Sequence, residues 1–224
     1  MTETAKPARL AERIKRFAAA RLYPVISSEF CAGRSPFEVF TAAAEGGAKV
    51  IQIREKHWEK PRIRELVRAC RPVADRYGVL IIVDDYADVA RDAGADGVHI
   101  GQDDMSVAEV RAISPELLIG KSTHNLEELL AAQGEGTDYL NIGPIYPTQT
   151  KSVSYPAVGL EKLRELVPSV KIPFSVMGGI KERHIRELLA AGARRIAMVT
   201  EVTQAPDVAA KVRELEALFP PSWD

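Results

Sequence analysis

Residues 79–100 read VLIIVDDYADVARDAGADGVHI, and this stretch decides the fold. Its two apolar runs, Val79–Val83 and Gly97–Ile100, are short, rich in Val and Ile and bounded by Asp or Gly, which is typical of buried parallel strands. The segment between them is predicted to be a helix that ends at Gly94, where a left-handed cap needs no Cβ atom. The stretch therefore predicts one strand–helix–strand unit.

The same unit recurs along the chain. Further apolar runs, separated by helical patterns, bring the predicted strands to eight: Leu22–Ile26, Lys49–Ile53, Leu117–Gly120, Tyr139–Ile142, Pro173–Met177 and Arg195–Val199. A repeat of about 25 residues matches the unit of a (β/α)8 TIM barrel, which is an α/β fold. A doubly wound open sheet uses the same elements, but the sequence has no dinucleotide-type Gly-x-Gly-x-x-Gly turn. We therefore predict a single barrel domain over residues 22–219, with a short N-terminal extra helix in residues 1–21 and a tail over residues 220–224.

Local signals mark where helices begin and end. The segments Ser35 to Glu38 and Ser106 to Glu109 each have the pattern of a capping box, which starts a helix. Helices are predicted to end at Gly46, Gly78 and Gly192, with the same left-handed cap as at Gly94.

The composition excludes several classes of protein. The chain has 224 residues, 46% of them hydrophobic and 27% charged, with a formal net charge of −1, so it is not a disordered chain. Its 30 basic and 31 acidic residues leave no electrostatic footprint for nucleic acid. The longest apolar run, Val79–Val83, is far below the ~18 residues of a membrane span. Cys31 and Cys70 form no disulfide framework and the first residues contain no apolar signal core, which together predict a cytoplasmic protein.

Cationic side chains follow the second predicted strand. If the chain is a barrel, its function belongs at the carboxyl ends of the strands and in the loops that follow them. Side chains alternate along a strand, so Gln52, Arg54 and Lys56 face one way, and two cations on the inner side would make an anion site. The alternative is a solvated strand end in which Glu55 pairs with one of these cations at the surface.

Carboxylates follow the third and fourth predicted strands. Asp84 and Asp85 end the third strand, and Asp103 and Asp104 follow the fourth. One or two carboxylates, with waters and phosphate oxygens, are what Mg²⁺ prefers, so the cations and carboxylates together suggest a magnesium–pyrophosphate site. The alternative is helix capping, for which Asp is favoured.

The later strands carry phosphate-binding signals. Gly178 and Gly179 follow the seventh predicted strand, and Val199 and Thr200 end the eighth. Glycine-rich loops at these two places, opening onto helix N-termini, form the usual phosphate site of a barrel. A tight turn is the alternative for the glycine pair.

The loop after the sixth predicted strand contains Thr148, Thr150 and Lys151, which offer two hydroxyls and an ammonium. Such a loop could close over phosphate, although a solvated loop has the same composition. The residues thus predict one metal-assisted pyrophosphate subsite and one monophosphate subsite. No Ser-His-Asp or Cys-His pairing can be seen in the sequence.

The motifs, in this order and spacing, resemble the thiamine phosphate synthase family over about Leu22 to Ala210. The matching segments are Gln52 to Lys56, Ala95 to Asp104, Gly120 to His124, Asp138 to Pro144, Thr148 to Lys151 and Gly178 to Ile180. The resemblance implies a transferase that joins a hydroxymethylpyrimidine pyrophosphate to a thiazole phosphate, giving thiamine phosphate and pyrophosphate. It implies small-molecule substrates and leaves a homo-oligomer open.

The resemblance also implies which residues carry the reaction. The pyrimidine pyrophosphate would be bound by Gln52, Arg54, Lys56, Asp84, Ser122 and Lys151. Mg²⁺ would be bound by Asp85 and Asp104. The thiazole phosphate, or its carboxylated form, would lie against Thr148, Thr150, Gly179, Val199 and Thr200.

Two residues depart from the family pattern. Asp84 stands where the family usually has Asn, and an extra carboxylate should repel pyrophosphate unless it meets magnesium or is protonated. Glu201 replaces a usually small residue beside the phosphate loop, and alternation predicts that it points away from the site.

Two other functions remain open on the sequence alone. A paralogous barrel that tautomerises the thiazole carboxylate phosphate would use His124 as a proton shuttle. A non-catalytic barrel that only binds a phospholigand is the third interpretation, which Asp84 makes conceivable.

Overall fold

The computed structural model describes residues 6–148 and 156–221. Within them, eight parallel strands pair in chain order, and the last pairs with the first, so the sheet is a closed barrel. The strands are β1 (Leu22–Ile26), β2 (Val50–Ile53), β3 (Leu80–Asp84), β4 (Gly97–Ile100), β5 (Leu118–Thr123), β6 (Tyr139–Ile142), β7 (Phe174–Val176) and β8 (Ile196–Met198). The predicted (β/α)8 fold is confirmed, and the open-sheet alternative is wrong because β8 pairs with β1.

Helices alternate with the strands and cover the outside of the barrel. They are α1 (Ala8–Ala19), α2 (Pro36–Glu45), α3 (Lys60–Tyr77), α4 (Ala87–Ala93), α5 (Val107–Ile113), α6 (Leu126–Gly134), α7 (Gly159–Leu166), α8 (Ile185–Ala190), α9 (Thr200–Thr203) and α10 (Val208–Glu216). None of the helices in the described part of the chain is both long and apolar enough to cross a bilayer.

The capping signals give the helix starts as predicted. Ser35 and Ser106 each accept a hydrogen bond from the backbone three residues on, and the glutamate there completes a capping box. Gly78 and Gly94 end their helices in the left-handed conformation, with φ of 66° and 74°.

Of the other two predicted stops, the one at Gly46 differs from the structure and the one at Gly192 agrees with it. Gly46 ends α2 with φ of −69°, so it is right-handed, and the turn is made by the next residue, Gly47, at φ of 111°. The predicted left-handed cap at Gly46 is therefore wrong by one position. Gly192 is left-handed as predicted, with φ of 96°, and it ends α8 in the same way as Gly94 ends α4, with the Ala193 amide donating to Leu188 O at 3.0 Å.

The barrel has two apolar layers because side chains alternate across each strand. One layer lies between the strands and the helices, and its members include Ile51, Ile81 and Val83. The other fills the inside of the barrel and includes Leu80 and Leu118.

Helix α1 closes the amino end of the barrel. Its Phe17 is completely buried inside, with its ring centroid 4.0 Å from that of Tyr139. Arg195, just before β8, donates to the carbonyl oxygens of Phe17 (2.7 Å) and Phe174 (2.9 Å), which ties the end of α1 to the strand starts. The carboxyl end of the barrel is therefore the end at which a site can open.

Candidate active site

The carboxyl end of β2 places the two predicted cations beside Asp84. The Arg54 amide continues the strand pairing by donating to Ile26 O at 2.8 Å. From there Arg54 Nε lies 3.5 Å and Lys56 Nζ 2.7 Å from Asp84 Oδ2, and Lys56 also pairs with Asp85. Arg54, Lys56, Asp84, Asp85 and Asp104 are called the cation–carboxylate cluster below.

Glu55 takes no part in that cluster. Its two carboxylate oxygens accept from the backbone amide and the hydroxyl of Ser28, each at 2.7 Å. Burial raises the pKa of Glu55, while these hydrogen bonds lower it. The predicted alternation along β2 therefore continues past the end of the strand, with Arg54 and Lys56 on one side and Glu55 on the other.

Asp84 is buried, and its carboxylate lies beside both Arg54 and Lys56. Only 8% of it is exposed, and its Oδ2 has no aligned hydrogen-bond donor among the described residues, although two cations lie beside it. Burial lowers the pKa of Lys56, but the charges of Asp84 and Asp85 outweigh that effect and raise it. The charge of this extra carboxylate is thus balanced by Arg54 and Lys56. The sequence had suggested two other outcomes, contact with magnesium or protonation.

Asp85 and Asp104, the two aspartates that the family resemblance implies for Mg²⁺, lie next to each other. Their side chains lie within hydrogen-bonding reach of each other, and burial, followed by the charge of Asp84, raises the pKa of Asp85. Asp85 has a left-handed backbone, with φ of 66°, and its amide donates to His99 O at 2.8 Å. Asp104 Oδ2 accepts from the Gly101 amide at 2.6 Å. Two crowded carboxylates of this kind are stabilised by a cation between them.

The donors fit magnesium better than an ion held wholly by protein. Within residues 6–148 and 156–221, no three Asp, Glu, His or Cys side chains converge as a metal-binding group. Mg²⁺ commonly takes one or two carboxylates and completes its shell with waters and phosphate oxygens. Helix capping does not explain these aspartates, because α4 follows Tyr86 with no side-chain cap and α5 is capped by Ser106.

A pocket opens at the ends of β5, β6, β7 and β8. It holds about 690 Å³ of space free of protein atoms, including its open mouth. Its lining combines hydroxyl and amide groups with apolar side chains: Ser122, His124, Asn141, Gly143, Pro144, Thr148, Met177, Gly178, Gly179, Ile180, Lys181, Ala197, Met198, Val199 and Thr200. The predicted phosphate residues Thr148, Gly179, Val199 and Thr200 thus share one pocket, whereas Thr150 and Lys151 lie outside the described residues.

Gly179 is required by packing as well as by any ligand. Its φ is 63°, and a Cβ atom there would collide with Pro147 O and come within 2.8 Å of Tyr146 Cβ. The glycine pair does not open directly onto a helix as expected, because a 3₁₀ turn at Glu182–His184 intervenes before α8. A phosphate at this loop would therefore meet backbone amides and side chains of the lip rather than the start of α8.

A buried chain of hydrogen bonds crosses the inside of the barrel. Gln52 Nε2 donates to Tyr23 Oη at 3.0 Å, and Tyr23 Oη lies 3.0 Å from Tyr139 Oη. His99 then bridges Tyr139 Oη (3.1 Å) and Ser122 Oγ (2.9 Å). Gln52 and Ser122, which the family resemblance assigns to one substrate, are thus physically connected.

Sequence reasoning did not single out the members of this chain between its ends. Tyr23 and Tyr139 are inward-facing positions of predicted strands, so alternation could have placed them inside the barrel. Burial raises the pKa of both tyrosines, which keeps them protonated and able to donate. Lys181 was missed as well, because it comes from a loop whose path no local pattern fixes.

The remaining flagged residues have defined partners. His124 lines the pocket, and its Nδ1 lies 2.7 Å from Glu128 Oε2. Glu201 lies in helix α9, where the alternation of a strand does not apply; it does not line the pocket, but it pairs with Lys181, which does.

Comparisons with known proteins agree with this geometry. A family model described as thiamine monophosphate synthase matches residues 22–202, which cover all eight strands. The chain belongs to the thiamine monophosphate synthase family. The thiamine-phosphate synthase of Shouchella clausii is 42% identical over 198 residues, covering 88% of this chain and 95% of that protein. The one from Chloroflexus aurantiacus is 44% identical over 198 residues, covering 88% and 92%.

A solved structure extends the likeness to three dimensions. Thiamine phosphate pyrophosphorylase from Pyrococcus furiosus superposes with a TM-score of 0.83 at 36% identity, covering 91% of this chain and 96% of that one. Family members of nearly the same length therefore share both the sequence and the barrel of this protein.

Proposed function

We propose that this protein is a thiamine phosphate synthase, which joins a hydroxymethylpyrimidine pyrophosphate to a thiazole phosphate with release of pyrophosphate. The observation that carries the proposal is the arrangement of one barrel mouth. The cation–carboxylate cluster lies at the carboxyl ends of β2 and β3, and the pocket lies at the carboxyl ends of β5 to β8. The chain of hydrogen bonds from Gln52 to Ser122 joins the two. One reactant can be bound at each, with the reacting atoms between them.

The cluster side would bind the leaving group. Arg54 and Lys56 present fixed cations in a partly buried site, where their attraction for a pyrophosphate is stronger than in water. Lys151 would add a third cation from the loop after β6. In this arrangement Gln52 and Ser122 orient the pyrimidine, and Asp84 becomes the counter-ion that pyrophosphate has to displace.

Asp85 and Asp104 would hold Mg²⁺ at the edge of the cluster. A bound Mg²⁺ neutralises charge that develops on a departing pyrophosphate. The two carboxylates supply part of the shell only, so phosphate oxygens and waters would supply the rest.

The pocket side would bind the thiazole phosphate. Met177, Ile180 and Val199 provide apolar walls for a ring, while Thr148 and Thr200 provide hydroxyls for a phosphate. Gly179 brings backbone to the same place, and Thr150 would join from the neighbouring loop. A ring held this way is kept close to the pyrimidine carbon that it attacks.

The reaction needs no protein nucleophile in this arrangement. The C–O bond between the methylene carbon of the pyrimidine and the pyrophosphate breaks first. Arg54, Lys56 and Lys151 stabilise the departing pyrophosphate anion, and the aminopyrimidine ring stabilises the resulting carbocation. The thiazole nitrogen, already oriented by the pocket, then forms the new C–N bond. The chain's task is to position both reactants and to keep water from the carbocation.

Turnover of purified protein tests the proposal. With both substrates and Mg²⁺, we expect pyrophosphate and thiamine phosphate to form in equal amounts, and neither to form when one substrate is left out. Isomerisation of the thiazole carboxylate phosphate in the absence of the pyrimidine substrate would instead favour the tautomerase. Binding of both substrates with no product would favour a phospholigand-binding barrel.

The predicted cytoplasmic location stays a prediction, as does a homo-oligomer.

A further inference from the structure

Lys181 reaches from the lip of the pocket to the predicted phosphate site. It follows β7 and lines the pocket together with Gly179 and Thr200. Its Nζ atom donates to Thr200 Oγ1 at 3.2 Å, and its amide donates to His184 Nδ1 at 3.1 Å. The backbone is therefore anchored while the ammonium points at a residue expected to meet phosphate.

The charge of Lys181 stands out within this pocket. Of the described residues that line it, Lys181 is the only lysine or arginine. Apart from the imidazole of His124, which pairs with Glu128, the other described lining groups would meet a phosphate dianion with hydroxyls, amides or apolar atoms. A charge-assisted hydrogen bond is roughly twice as strong as a neutral one, so one cation here would matter for affinity.

Glu201 forms an ion pair with Lys181. Its Oε2 lies 3.2 Å from Lys181 Nζ, and its Oε1 accepts from the Glu182 amide at 3.2 Å. The side chain of Glu201 is 19% exposed and that of Lys181 is 40% exposed. A carboxylate held by a backbone amide and an ammonium makes the same kinds of contact as a phosphate oxygen would.

We propose that Lys181 binds the monophosphate of the thiazole substrate, and that Glu201, from beside the pocket, pairs with the Lys181 ammonium until that phosphate displaces it. This inference rests on the proposed function. It makes Lys181 a substrate-binding residue and Glu201 a residue that sets affinity by competition. Lys181 thereby supplies the one lysine or arginine among the described residues that line the phosphate site.

Steady-state kinetics with each substrate varied separately test the proposal. For Lys181→Met we expect the KM for thiazole phosphate to rise about tenfold or more, the cost of a lost hydrogen bond to a charged group. The KM for the pyrimidine pyrophosphate should stay within about twofold, since that substrate binds at the other subsite. Lys162→Met is the matched control, because Lys162 pairs only with Glu165 on the surface of α7 among its described contacts.

The variant Glu201→Gln tests whether Glu201 competes with the thiazole phosphate for Lys181 or only forms a surface ion pair with it. We expect the KM for thiazole phosphate to fall severalfold, because the competing charge is removed while an amide oxygen can still accept from Glu182. In the double variant with Lys181→Met this gain should disappear. A KM that rises in Glu201→Gln, or a gain that persists in the double variant, overturns the displacement.

Direct binding keeps this test separate from the proposed function. Titration calorimetry with thiazole phosphate alone measures the same effects without turnover, and thermal melting checks that each variant is folded. Absence of product with wild-type protein would count against the proposed function only. Equal affinity of wild-type protein and folded Lys181→Met for thiazole phosphate would overturn the role of Lys181, whatever the turnover shows.

Discussion

At the scale of single residues, Arg54 and Lys151 carry the clearest prediction. We expect Arg54→Ala and Lys151→Ala each to lower kcat by about a hundredfold or more, since each removes charge stabilisation from the leaving pyrophosphate. Pyrophosphate release measures the loss, and the melting temperature should stay close to that of the wild type. Arg68→Ala, which removes an exposed arginine of α3, is the control. Near-normal turnover in either variant would mean that the leaving group binds elsewhere.

Asp84 is a residue for which we expect a gain. Its carboxylate pairs with Arg54 and Lys56, so it competes with pyrophosphate for both cations. Asp84→Asn should therefore be tolerated, or should raise activity when magnesium is limiting, as a titration of rate against Mg²⁺ would show. Complete loss of activity would identify Asp84 as a metal ligand or a base instead.

Gly120 on β5 shows how one missing Cβ supports the site. A Cβ atom there would overlap the ring of Tyr139, which links Tyr23 to His99. We expect Gly120→Ala to lower the free energy of unfolding by about 1–3 kcal/mol, the usual cost of overpacking a core. Urea unfolding measures this, and Gly134→Ala, with open space around its Cβ position, is the control. An unchanged unfolding midpoint would show that Tyr139 moves aside without cost.

At the scale of elements, helix α10 holds a carboxyl group against β1. Glu216 Oε1 accepts from the Leu22 amide at 3.3 Å, and burial raises the pKa of Glu216 above its ordinary value of 4.5. The folded protein thus binds this proton more tightly than the unfolded chain. Its contribution to stability is present below pH 4.5 and is lost as the pH rises through the raised pKa.

Replacing Glu216 by Gln tests that sign. The amide oxygen can still accept from Leu22 but carries no charge, so Glu216→Gln should gain stability relative to the wild type as the pH rises from 4 towards 7. Urea unfolding at several pH values measures the difference, with exposed Glu214→Gln as the control. A difference that does not change with pH would show that Glu216 titrates normally.

The sequence predicted the elements well where a local cause fixes them. Short apolar runs located every strand, because a parallel strand that is buried on both faces is apolar along its length. The sequence was less accurate where tertiary contacts decide the end of an element. Strand β5 continues past Gly120 to Thr123 because Ser122 and Thr123 pair with Asn141 and Ile142. Gly46 also depends on a tertiary contact that the sequence does not show, since a Cβ atom there would come within 2.7 Å of Val212 Cβ on α10.

The site was predictable in part for a related reason. Arg54 and Lys56 follow from period-two alternation, and a group of carboxylates follows from the neighbouring positions of β3 and β4, whereas the pair Asp85 and Asp104 was implied by the family resemblance alone. The ion pairing of Asp84 and the approach of Lys181 to Thr200 depend on distances between loops. No local pattern encodes such distances, so only the folded structure reveals them.

At the scale of the whole molecule, the barrel separates stability from function. Helix α1 closes the amino end with Phe17 and leaves the carboxyl end open. At that open end, charged groups gather over β2 to β4 and a pocket with apolar walls over β5 to β8. The buried chain from Gln52 to Ser122 keeps the two sides in a fixed relation.

A crystal structure with pyrophosphate and Mg²⁺ bound tests the central claim most directly. We expect a diphosphate in contact with Arg54, Lys56 and Lys151, with a metal ion between it and the carboxylates of Asp85 and Asp104. In that complex the contacts of Asp84 with the two cations should be loosened. A diphosphate bound away from Arg54 and Lys56, or a metal ion that leaves Asp85 and Asp104 untouched, would contradict it.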